Sequence, residues 1–138
     1  MTEKSMRLTH QGVMTMLGAA IEAAEALGQP QCIVIVDQSG GLLGEIMMTG
    51  AKFLSRRSAR AKAMTAASIG APSSGIPEPV RPAIAAATDG AVTGLPGGLP
   101  IRFDGVLVGG IGIGSGTSDQ DVAVANAALQ AVGADPVP

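Results

Sequence analysis

Between Leu95 and Ser118 the chain reads LPGGLPIRFDGVLVGGIGIGSGTS, and this glycine-rich stretch restricts the fold more than any other. A tight Pro96-Gly97-Gly98-Leu99-Pro100 turn leads into an apolar run at Ile101 to Phe103. Asp104-Gly105 then separates that run from Val106 to Ile113. Asp-Gly between two β-prone runs is a strong hairpin signal, because both turn positions take positive φ. A second glycine turn, Gly114-Ser115-Gly116, follows. The stretch therefore predicts a hairpin with a side-chain-poor bend at each end. Such bends let another group approach the backbone, since no Cβ holds it off.

Around the hairpin the pattern alternates helices and strands. Thr9 is placed to cap a helix in which Val13, Leu17, Ala20, Ile21, Ala24 and Leu27 recur on one face, with Gly28 and Pro30 ending it. Gln31 to Asp37 reads as a buried strand and Leu42 to Met48 as its antiparallel return through Gln38-Ser39-Gly40-Gly41. Ala51 to Ile69 reads as a second helix, basic in its first half and alanine-rich in its second. A long proline-containing segment, residues 71–100, holds one helical turn from Pro82 to Ala87. Loops of this length are usually functional or mobile. Ser118 or Thr117 caps a last helix, Asp119 to Val132, with acids in its first turn. Two hairpins separated by a helix predict an α+β (α/β) fold, one antiparallel sheet with helices packed on it.

With 138 residues, 46% of them apolar, the chain is long enough for one domain with a real core. The core material is small, with two phenylalanines and neither tryptophan nor tyrosine. Small side chains bury little area each, so association of subunits is an expected source of stability. A net charge of −2 gives no general attraction to nucleic acid or to an anionic membrane. No apolar run approaches the ~20 residues of a membrane span, and no leader opens the chain, so a cytoplasmic protein is expected. The single cysteine, Cys32, excludes an intrachain disulfide and an all-cysteine metal site.

The segments VIVDQSGGLLGEIMMTGA, ARAKAMTAASIGAPS and LPGGLPIRFDGVLVGGIGIGSGTSDQDVAVANAAL resemble the GlcG/HbpS-like family, which includes the C-terminal haem-binding domain of PduO-type proteins. The shared features are a V-D-x-x-G-G turn, an A-x-x-K-A-x-T-A helix, a G-G-x-P-I turn and a G-x-I-G-x-G-S-G segment before a D-x-D helix start. They run from Leu8 to about Val132, so a single domain over residues 1–138 with a core near 8–132 is expected. The resemblance implies a profilin-like sheet flanked by helices, a homo-oligomer, and binding of haem or another small ligand. Where the family often carries R-M-D-G-A, this chain has Met47-Met48-Thr49-Gly50-Ala51, lacking the arginine and the acid.

Lys62 is the candidate counter-charge for a small anionic ligand, or an acid/base group if buried; alternatively its stem covers apolar surface with the head in water. The expected pocket is lined by Lys62, Pro96, Gly97, Gly98, Leu99, Gly114, Ser115 and Gly116, of which Gly97, Gly98, Gly114, Ser115 and Gly116 can form an anion nest with their backbone N–H groups; turn geometry alone also accounts for these glycines. Asp37 either caps the turn that follows it or partners Lys62 in proton transfer or elimination on an oxo- or hydroxy-acid, the enzyme alternative to a binding protein. Arg56, Arg57 and Arg60 read as a solvated or intersubunit face, with anion capture as the other reading. Asp119 and Asp121 read as helix N-terminal acids. His10, the sole imidazole, is a candidate haem ligand, and no metal site is otherwise expected. No Ser-His-Asp constellation can be assembled around it.

Overall fold

The computed structural model describes all residues, Met1–Pro138. Four strands form one antiparallel sheet in the order β2-β1-β4-β3, with β1 Cys32–Asp37, β2 Leu42–Met47, β3 Gly98–Phe103 and β4 Val106–Gly114. Helices α1 (His10–Leu27) and α4 (Ser118–Ala131) cover one face, and α2 (Ser55–Ile69) covers the other. A short α3 (Arg81–Ala87) lies in the long connection before β3. The architecture is the α+β class expected from the alternation of elements, with the profilin-like arrangement that the resemblance implies.

Alternation along β1 separates the two halves of the core. Ile33 and Ile35 join Val13, Met16, Ala20 and Ala24 of α1 and Val124, Ala125 and Ala128 of α4. Cys32, Val34 and Val36 face Ala59, Ala63 and Ala67 of α2. All five of these strand residues are essentially closed to water, as expected for a central strand with helices on both sides.

The glycines of β4 explain why α2 can sit so close. Ile111 and Ile113 fill the α1/α4 side, while Gly110, Gly112 and Gly114 face α2. A Cβ on Gly110 would strike the carbonyl of Ala63, and one on Gly112 the carbonyl of Ala59. A Cβ on Gly114 would lie 3.0 Å from that of Ser55. Four helical residues rise about 6 Å, and two strand residues span nearly the same, about 6.6 Å. The row Ser55-Ala59-Ala63 therefore stays in step with Gly114-Gly112-Gly110, backbone against backbone.

The hairpin turn falls at Asp104-Gly105, with φ of 49° and 79° and Phe103 opposite Val106. These are the two positive φ values of a two-residue type I′ turn. Thr9 caps α1 by accepting from the Gly12 N–H. Thr117, not Ser118, caps α4, in a reciprocal capping box with Gln120. Helix α2 begins four residues later than the sequence pattern implies. The chain first makes tight turns in which the N–H groups of Ala51, Ser55 and Arg56 donate to the carbonyls of Met48, Lys52 and Phe53. Phe53 and Leu54 stand exposed there.

Candidate functional site

Helix α2 carries Lys62 inward, at the end of β4, to the two glycine bends. Its ammonium nitrogen donates to the Ile113 carbonyl at 2.7 Å and to Asp121 Oδ2 at 3.0 Å. The lysine and aspartate side chains are 6% and 4% exposed, so this is a buried ion pair. The other carboxylate oxygen, Asp121 Oδ1, accepts from the Gly116 N–H at 3.0 Å. A Cβ on Gly97 would lie 3.1 Å from the lysine nitrogen and 2.8 Å from the Ile113 carbonyl oxygen. Thus Lys62, Gly97 and Gly116 do meet, and the anion seated among them is the chain's own Asp121, delivered by the first turn of α4.

The remaining residues of the expected pocket are engaged within the fold. The Gly98 N–H donates to Ser73 Oγ at 2.9 Å, and a Cβ there would strike the Lys62 carbonyl. Leu99 belongs to the α1/α4 core. Gly114 is covered by Ser55. Ser115 Oγ accepts from the Lys52 N–H, and its carbonyl accepts from the Gln29 side-chain amide. Pro96 is half-buried beside Gly97. The space directly beside these bends is filled by α2 and Asp121. Gln31 was not among the sequence candidates. It is fully buried next to Gly116, with neither side-chain amide atom bonded to a protein partner. Its only sequence signal is a polar residue at the start of an otherwise apolar strand.

Asp37 stands elsewhere. Its Oδ1 accepts from the N–H groups of Ser39 and Gly41 at 2.8 and 2.9 Å, capping the β1–β2 turn. It pairs with Gly109, four residues along β4 from the Ile113 carbonyl that Lys62 holds. Four strand residues span about 13 Å, so the structure does not bring Asp37 and Lys62 onto one reacting atom. His10 opens α1 and is exposed. Asp119 is an exposed acid of the first turn of α4. No cluster of three or more histidine, cysteine or acidic side chains is arranged to hold a metal ion. No helix is long and apolar enough to cross a membrane.

The basic side chains of α2 diverge. Arg56 lies 3.6 Å from Glu45 of β2, while Arg57 and Arg60 form no ion pair. Both line a cleft of about 340 Å³ with Ala61, Met64, Asp89, Gly90 and Ala91. Cys32 is buried, and loss of solvation pushes its thiol pKa up. A hydrogen bond from Ser115 and the charge of Arg56 oppose that shift, and Glu45 adds to it.

Fold and site together describe a three-layer profilin-like domain whose two glycine bends close on an internal salt bridge. The chain belongs to the HbpS-like family, described as haem degrading protein HbpS-like, whose model matches residues 8–130. It is 31% identical over 135 residues to the corrinoid adenosyltransferase PduO of Citrobacter freundii, covering 94% of this chain and 40% of that protein. The chain thus spans about two-fifths of that relative's length. Among solved structures, PduOC in complex with heme is similar at a TM-score of 0.88 and 28% identity, over 96% of this chain and 100% of the other. A double mutant of Streptomyces reticuli HbpS is similar at a TM-score of 0.83 and 32% identity, over 94% and 89%.

Proposed function

We propose that this chain is a ligand-binding protein of the HbpS type whose ligand is haem or a closely related tetrapyrrole, and that it works as a homo-oligomer. The observation that carries this reading is the similarity to PduOC across that whole chain, in a structure determined with heme. Oligomerisation is supported by exposed apolar side chains at one edge of the sheet and in the turn before α2. Leu42, Leu43, Ile46 and Met47 of the edge strand β2 are exposed, and so are Phe53 and Leu54 in the turn that follows. An edge strand of this kind offers both unpaired backbone groups and apolar area to another chain.

Hemin titration of the purified protein tests the reading. With neither tryptophan nor tyrosine in the chain, protein absorbance near 280 nm is minimal. Saturable growth of a shifted Soret band, with an endpoint at a fixed ratio of hemin to chain, is the expected result. A spectrum that grows linearly with added hemin, like hemin in buffer, rejects it.

A further inference from the structure

The two glycine bends hold the chain's own Lys62–Asp121 pair, and the clefts of the surface are open to a ligand. We propose that a planar, largely apolar molecule carrying two carboxylates is held in the cleft along the outer face of α2, its carboxylates on Arg57 and Arg60 and its plane against Met64. This inference rests on the haem-type reading above and assigns that ligand a place.

Arg57, Arg60 and Met64 fall at i, i+3 and i+7 of α2, on one stripe of the helix. This stripe faces away from the Ser55-Ala59-Ala63 row that packs on the sheet. The helical rise puts the guanidinium-bearing positions about 6 Å and about 10 Å from Met64 along the axis. That spacing suits a flat molecule centred on the thioether with its acidic edge toward the start of the helix.

Beyond α2 the cleft is lined by Asp89, Gly90 and Ala91. This segment is tied to α2 by the Thr93 N–H, which donates to Thr65 Oγ1 at 2.9 Å. Met64 and Ala91 also line a second cleft of about 270 Å³ with Gln38, Ser39, Gly40, Ser68 and Val92. The two clefts therefore run on from one another past the methionine. A Cβ on Gly40 would lie 3.6 Å from Met64 Cε, so the thioether end reaches the β1–β2 turn.

Charge separates this cleft from the others. The apolar cleft at Ile21, Ala24, Met47 and Met48 includes Glu25 and no cation. Arg102 lines another cleft, but its guanidinium donates to the Gly70 carbonyl and Asp135 stands in the same wall. Arg7 shares its cleft with Asp37. Arg57 and Arg60 are two guanidiniums with no carboxylate paired to either. Guanidinium is the side-chain group best matched to a carboxylate, through two parallel N–H donors. Asp89 is the one acid in the wall, so it opposes the ligand.

The test is equilibrium titration of the full chain with hemin and with zinc protoporphyrin, a probe independent of iron ligation. The Arg57→Gln/Arg60→Gln double variant is expected to bind both at least about tenfold more weakly, with unchanged thermal stability because both side chains are exposed. Asp89→Asn is expected to tighten both, and Arg7→Gln to leave them unchanged. Esterifying the two porphyrin carboxylates should remove the difference between wild type and the double variant. Equal affinity of wild type and the double variant for both probes overturns this placement while the haem-type reading stands. No saturable binding of either probe to the wild type overturns both.

Discussion

Lys62 of α2 and Asp121 of α4 meet at 3.0 Å in the interior, although their helices lie on opposite faces of the sheet. The pair reaches across the end of β4, where Ile113 accepts a second lysine proton and Gly116 donates to the second carboxylate oxygen. It fastens the two outer layers to each other at the point where the strand ends. Buried pairs of this kind add little against an apolar replacement, but removing one partner strands a charge in the interior.

Lys62→Met and Asp121→Leu are each expected to lower stability by about 3–5 kcal/mol. The double replacement Lys62→Met/Asp121→Leu is expected to recover much of that loss. Urea unfolding of the four proteins checks this, and the coupling comes directly from the double-mutant cycle. Losses that simply add would mean that the two groups do not depend on each other.

The glycine row of β4 makes the opposite kind of prediction from an ordinary helical glycine. Gly112→Ala places a methyl group against the Ala59 carbonyl, which cannot swing away as a side chain could. A loss of about 3 kcal/mol is expected, at the upper end for overpacking because backbone must move. Gly18→Ala in α1 meets nothing within 4 Å. It is expected to gain about 0.8 kcal/mol from helix propensity, raising the melting temperature by a few degrees (about 3 °C). Calorimetry of the two variants should give shifts of opposite sign.

The elements were legible because their signals are local. The Asp104-Gly105 turn, the Thr9 cap and the Asp37 cap each depend on residues within a few positions. The site was legible only in part. Lys62 could be placed beside the bends from its helix and its small neighbours. Asp121 could not, because a first-turn acid fits the helix dipole whether or not a distant lysine reaches it. The glycines of β4 suggested approach to the backbone, and the approach is real, but the visitor is α2. Sequence spacing shows that room exists and not which element takes it. The late start of α2 was hidden by Lys52, Phe53 and Leu54, which fit a helical pattern as well as the turns they form.

Cys32 supplies a pH-dependent prediction. Burial raises its thiol pKa in the folded protein, so the folded state holds the proton where the unfolded state has released it. Its stabilising contribution is full below the ordinary thiol pKa and is lost as pH rises from there through the folded value. Stability measured from neutral to alkaline pH should therefore fall less steeply in Cys32→Ala than in the wild type. The same burial predicts slow modification by a thiol reagent in the folded state and fast modification in denaturant.

The edge strand and the turn before α2 give the last prediction. Phe53 is 80% exposed and Leu54 is 64% exposed, an unusual position for one of only two aromatic residues in the chain. In a homo-oligomer that buries this side, Phe53→Asp would place a charge in the contact, and the desolvation cost falls on the assembly alone. The variant is expected to sediment as a smaller species than the wild type at the same micromolar concentration. Its far-ultraviolet circular dichroism should be unchanged, since Phe53 packs on no buried cluster of the single chain. Identical sedimentation of the two proteins would show that this surface takes no part in association. Asp104→Asn, a charge change in the exposed β3–β4 turn at the sheet edge opposite β2, serves as the control and should leave the sedimentation coefficient where it is.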